Sequence, residues 1–197
     1  WHRSYKPSHN PRIPGSRTYT PFLRHRAKQP SRSYSLVHID AGSGNGKVEN
    51  ILFTNSTVVY TGKSFIYCKN TDFTSLKFAN CTFSKIIGVG DYFLDCAKNT
   101  YGPSNGTSIE NCIFGSSSVT PAEGEKINGI RAKGTVEVSN SYATKDMYIT
   151  NNPIGNLTSY EGGEADLFQN SANYDFTIID NSFPGKTNCG DPRWYKK

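Results

Sequence analysis

The sequence of 197 residues predicts an all-β solenoid, a chain wound into stacked coils, and three observations lead there. Four segments repeat one pattern: Ile51-Leu-Phe-Thr-Asn55-Ser-Thr-Val58, Leu76-Lys-Phe-Ala-Asn80-Cys-Thr-Phe83, Ser108-Ile-Glu-Asn111-Cys-Ile-Phe114 and Val136-Glu-Val-Ser-Asn140-Ser-Tyr-Ala143. Each has an apolar residue two before the Asn (Phe53, Phe78, Ile109, Val138), and three have another four before it (Ile51, Leu76, Val136), the period-two alternation of a strand with one buried face. The Asn positions lie 25, 31 and 29 residues apart, room for a coil of two or three strands with turns. A unit of that size cannot bury its apolar face alone, so the units stack.

The elements follow in chain order. Residues 1–39 carry eight Lys and Arg, no acid, all four His and five of the ten Pro, without strand or helix periodicity before about Tyr34. Residues 1–33 are therefore read as an irregular basic segment: a polyanion-binding arm, or an unstructured or foreign leader. The rest of the chain has 14 basic and 16 acidic residues. Ser35-Leu-Val-His-Ile-Asp40 reads as a strand, and Ala41–Lys47 as a Gly-rich turn. This turn is not a phosphate loop, because Ala41 stands where the first Gly is needed and Val48 where Ser or Thr holds magnesium. Residues 34–163 are assigned to coils. Residues 164–197, where the aromatic follows Asn181 by two positions instead of three, are assigned to a cap closed by Gly190-Asp-Pro-Arg-Trp194, with the Trp over the last coil.

Within the repeat, Asn55, Asn80, Asn111 and Asn140 are expected to form a structural ladder, each at a left-handed corner and bonded to the Asn above or below. Sequons occur at Asn55, Asn80, Asn105 and Asn156, and the ladder positions, taken as buried, are not expected to carry glycans. Cys68, Cys81, Cys96, Cys112 and Cys189 have neither the spacing of a zinc site nor an even count, and are read as buried space-fillers. Second strands end in Lys69, Lys98 and Lys133, which an ungapped alignment on Lys-(Asn/Gly)-Thr places in one outward column. No run approaches the roughly 20 apolar residues of a membrane helix. The chain begins at Trp1 and is read as a processed or truncated product, so any signal peptide or lipid-attachment cysteine would lie upstream.

From Asn111-Cys-Ile-Phe-Gly-Ser-Ser through Gly129-Ile-Arg-Ala-Lys-Gly-Thr, Asn140-Ser-Tyr-Ala-Thr, Ala165-Asp-Leu-Phe and Tyr174-Asp-Phe-Thr-Ile to Gly190-Asp-Pro-Arg-Trp, the chain resembles an uncharacterised pectate-lyase-like β-helix family. Members of that family form the C-terminal part of surface lipoproteins in gut bacteria of the Bacteroides type. The resemblance covers roughly residues 47–194. It implies a right-handed parallel β-helix, an extracellular or bacterial cell-surface location, and work on polysaccharides. It transfers no catalytic residue.

Three classes of function fit: a binder, an enzyme (lyase or hydrolase) and a scaffold. A binder of acidic, pectin-like polysaccharide would use Lys69, Lys98, Arg131 and Lys133 for carboxylates and Tyr67 and Tyr92 for sugar rings. A polyuronate lyase would take one of those basic residues as the base for β-elimination, with calcium as its cofactor and Asp40, Asp91 or Asp95 as ligands, although these Asp are scattered over different coils. A glycoside hydrolase would need Asp95 paired with Glu110, Glu123 or Glu125, which sequence alone does not provide. A spacer or scaffold is the third. The expectation is a monomeric polysaccharide-binding or scaffold domain, without nucleic acid as a partner and without a metal or other cofactor unless it is a lyase.

Overall fold

The computed structural model describes residues 17–19, 35–40, 47–61 and 63–195, and within them the chain is all-β, a parallel β-solenoid of about three turns. Strands β1 (Arg17–Tyr19) and β2 (Val37–Asp40) precede the first full coil, β3 (Asn50–Val59), β4 (Ile66–Lys69) and β5 (Asp72–Phe73). The second coil is β6 (Ser75–Ser84), β7 (Tyr92–Asp95) and β8 (Gly102–Pro103). The third is β9 (Thr107–Glu110), β10 (Ile113–Phe114) and β11 (Asn128–Arg131), followed by β12 (Val136–Ser139), β13 (Tyr142–Thr144) and β14 (Thr158–Tyr160). Equivalent strands pair in parallel: one sheet runs β1, β3, β6, then β9 with β10, β12 with β13, and β14. A second runs β2, β4, β7, β11, and a third is β5 with β8. Of the basic segment only β1 is described, a strand too short to show a period and held by the backbone of β3. The remainder of that segment, and the Gly-rich turn at 41–46, lie outside the described residues.

The repeat sets both the corner and the core. Asn55, Asn80, Asn111 and Asn140 all have positive φ, from 42° to 54°, which Asn tolerates better than most residues because its amide can bond locally. Asn80 donates to Asn55 at 3.2 Å and Asn140 to Asn111 at 2.8 Å. This ladder sits at the surface, with Asn55 and Asn140 exposed and not buried as the sequence suggests. The left-handed corner turns the Asn side chain outward and sends the next residue in. That inward column is Ser56, Cys81, Cys112 and Ser141, each donating to the carbonyl two residues back. The cysteines there do the work of small serines. All five cysteines are buried free thiols, and burial pushes the Cys112 thiol well up. Below the corner, aligned phenylalanines stack coil on coil: Phe53 on Phe78 at 5.2 Å, Phe65 on Phe93 at 5.1 Å and Phe83 on Phe114 at 4.8 Å.

The ends depart from expectation. Residues 145–157 close the core at the last coil: Ile154 is buried, Met147, Tyr148, Ile149 and Leu157 pack against it, and Asn151 and Asn152 take up backbone donors of β11. The tail, with α1 (Glu164–Leu167), β15 (Phe168–Asn170) and β16 (Asp175–Ile178), instead lies along the side of the solenoid. Leu167, Phe168, Phe176, Ile178 and Phe183 form a second core with Ile113 of β10, and Val59, Tyr142, Tyr160 and Trp194 pack at its edge. The outward half of the first sheet beyond the Asn corner is apolar enough to need this cover. The chain then climbs back over the coils. Cys189 donates to the carbonyl of Asn140, Gly190 to that of Asn111, and Asp191 N–H to Thr82 Oγ1. Thr57 donates to the Asp191 carboxylate at 2.8 Å, and Trp194 Nε1 to Thr57 at 2.6 Å. Trp194 therefore lies on the first coil, not the last. Glu164, buried, accepts from Ser84 Oγ and from Ser116 N and Oγ, fixing the start of the same strap to the second and third coils.

Candidate functional site

The outward face of the second sheet gathers the groups with the most recognition chemistry. Register places His38 beside Tyr67, Tyr67 beside Asp95 and Asp95 beside Arg131, one residue from each successive coil. Inward alternation explains the pattern: Ile66 and Cys68 face the core, so Tyr67 and Lys69 face out. The Arg131 guanidinium meets Asp95 through two parallel bonds, Nε to Oδ1 at 2.9 Å and Nη2 to Oδ2 at 3.0 Å, and lies 4.5 Å from the centre of the Tyr92 ring. Asp95 is itself held by the backbone N–H of Ala97 at 2.8 Å. His38 packs edge-on against Tyr67 at 5.0 Å. Asn128, level with Tyr92 but buried, accepts from Asn151 at 2.7 Å.

The basic residues are otherwise arranged than the ungapped alignment suggests. Lys69 is level with Asp40 and bonds it at 3.2 Å. Lys133 reaches Asp72 at 2.7 Å, and the N–H of Gly102 donates to the same carboxylate. Lys98 does not join them. Continuing the β4–β7 register sets Ala97, with φ 60°, level with Lys69, and the chain bulges through Lys98 before rejoining the third sheet at Gly102. The second coil is longer there by two residues, and an ungapped alignment cannot absorb them. Lys98 is exposed and makes no ion pair among the described residues. So Tyr67, Tyr92 and Arg131 converge, Lys69 flanks them, and Lys98 and Lys133 stand apart.

The candidate acids are also dispersed. Glu110 projects from the first sheet and bonds Lys77 at 2.7 Å, a contact that lowers its carboxyl below the usual range. Glu123 and Glu125 are exposed between β10 and β11. Among the described residues no three His, Cys, Asp or Glu side chains converge as a metal site. What sequence reasoning missed was the partner of each cation. The signal was present as opposite charges at equivalent positions of successive repeats, Asp40 before Lys69 and Asp95 before Arg131, but it needs the register to be seen.

These features define a β-solenoid with one polar, aromatic face and one strapped face. The family described as a domain of unknown function (DUF5123) matches residues 76–194, and the chain belongs to that family. The match runs from the second coil through the strap to Trp194. No curated protein and no solved structure matches the chain. No helix among the described residues is long and apolar enough to cross a membrane.

Proposed function

We propose that this domain is a non-catalytic carbohydrate-binding solenoid, working outside the cell or at a bacterial cell surface, with its ligand laid across the outward face of the second sheet. The observation that carries this reading is the Arg131 fork, fixed by Asp95 and laid on Tyr92 in the same outward row as Tyr67 and His38. Sugar rings offer apolar C–H faces to aromatics and hydroxyls to planar polar groups. Side chains already locked on a rigid sheet lose little entropy on binding. The resemblance to surface β-helix proteins supports the location.

A lyase needs a Lys or Arg positioned to take a proton; Lys69, Arg131 and Lys133 are each bonded to an aspartate, and Lys98, without an ion pair among the described residues, stands off the face on the bulge after β7. The test is retention on a panel of immobilised polysaccharides, with and without calcium, while following the ultraviolet absorbance of unsaturated products. Retention lost on Tyr67→Ala and on Arg131→Ala, without absorbance growth, is the expected result. Absorbance growth would establish the lyase, and retention on nothing would leave a scaffold.

A further inference from the structure

Resting on that carbohydrate-binding reading, we infer that the ligand is an uncharged polysaccharide, recognised through vicinal hydroxyls by the paired Asp95 and Arg131. The two cations that the register places on the face each carry a carboxylate, Lys69 with Asp40 and Arg131 with Asp95, as do Lys133 with Asp72 and, on the first sheet, Lys77 with Glu110, whereas the exposed Lys63, Lys98 and Lys126 lie in the turns at its edges. A polyuronate brings one carboxylate per sugar, and that group only accepts hydrogen bonds. It would have to displace an aspartate that is already aligned and then sit beside its like charge. Beyond position 39 the 14 basic and 16 acidic residues give the coils themselves no net attraction for a polyanion, the chain's +6 residing in residues 1–39.

A hydroxyl both donates and accepts. The joined pair offers both in one plane. Arg131 uses Nε and Nη2 on Asp95, which leaves the two N–H groups of Nη1 as donors, while Asp95 oxygens keep lone pairs as acceptors. Arg131 is 35% exposed and Asp95 11%, so the fork is reachable at its outer edge while its inner bonds stay shielded. Tyr67, one strand away from Asp95 in register, supplies a ring face for the sugar carbons and a phenol at its tip. A neutral ligand therefore loses nothing the face already has. An acidic one must break a bidentate pair.

The test is affinity electrophoresis and calorimetry of the full chain against neutral probes (a β-glucan, a galactomannan and an arabinoxylan) and acidic probes (polygalacturonate and alginate), at low and at moderate salt. At least one neutral polymer should bind with little salt dependence, and the acidic polymers at least tenfold more weakly. Asp95→Asn keeps an acceptor for the Ala97 N–H but releases the charge on Arg131. It should weaken neutral binding at least tenfold and create salt-sensitive polygalacturonate binding. Lys98→Ala, away from the face, should change neither, and circular dichroism confirms that each variant is folded. Binding of acidic polymers alone by the unaltered chain, lost on Arg131→Ala, overturns the inference while leaving carbohydrate binding intact, and acidic binding that survives Arg131→Ala is assigned to the basic residues 1–39. Binding of no polymer overturns both.

Discussion

Replacing Asp191 with Ala removes the knot that ties the tail to the first coil. The carboxylate, 1% exposed, accepts from Thr57 Oγ1, from the backbone N–H of Arg193 at 3.1 Å and from the Arg193 guanidinium. Hydrogen bonds to a charged group contribute about 1.5–3 kcal/mol each. The Arg193 guanidinium is half exposed, so its share is discounted for solvent screening. With the Thr57 hydroxyl and the Arg193 N–H left to find other partners, the loss comes to ~2–4 kcal/mol. At a urea slope of about 2 kcal/mol per molar, the middle of the usual range, that lowers the unfolding midpoint by roughly 1–2 M. Asp191→Asn, which keeps one acceptor, should lose about half as much.

Hydrogen exchange supplies the sharper readout. In a solenoid each coil contacts only its neighbours. The strap is the exception, since Thr57 and Trp194 are 137 residues apart. Amides of β3 should therefore exchange faster in Asp191→Ala while those of β9 and β10 keep their protection. An unchanged midpoint, or uniform acceleration through all coils, would refute the idea that the strap couples the first coil to the rest.

Two further outcomes follow from the same geometry. Burial pushes the Cys189 thiol up to about 11, the Tyr160 phenol to about 12 and the Tyr195 phenol to about 12, and all three belong to the strap or the face beneath it. Each is a folded-state value raised above its unfolded one, so the stability it contributes is complete below about pH 9 for the thiol and about pH 10 for the phenols, and is lost as pH rises through 11 to 12. The strap should release first in an alkaline titration, seen as a change in Trp194 fluorescence before far-ultraviolet circular dichroism; simultaneous loss would contradict it. At the corner, Asn80→Ala should destabilise by about 1–2 kcal/mol, the cost of a Cβ without local bonding at φ 54°, and Asn80→Gly by clearly less, as denaturant melts of the pair will show.

The sequence was legible wherever the repeat spoke for itself. Apolar positions before Asn55, Asn80 and Asn111 follow from alternation, because a strand's period does not depend on what lies across it, whereas Phe65 and Ile66, adjacent and both buried at a bend, do not. The Asn corner was legible too, since one residue type meets one backbone requirement. Contacts between coils were not. Lys98 left its column because two extra residues, invisible to an ungapped alignment, loop out after Cys96. Asp40, Asp72 and Asp95 emerged as partners only once register set which residue lies level with which. The position of the tail was hidden for another reason: Ile113 and Tyr142 lie on the outward side of their strands, and nothing local says that a segment beyond residue 164 will cover them.

The climb from Cys189 to Trp194 has a bearing on how this domain can change in length. Stacked folds grow by duplicating a coil, each addition moving the ends apart by about 4.8 Å. Here one residue meets one coil, Cys189 at Asn140, Gly190 at Asn111 and Asp191 at Thr82, before Trp194 reaches Thr57. The strap works as a ruler with fixed graduations. An inserted coil between Asn80 and Asn111 would leave Asp191 a full step short of Thr57, so duplication inside the strapped region must lengthen the tail in the same event or lose the anchor, whereas coils added before the first strapped one leave every graduation in place.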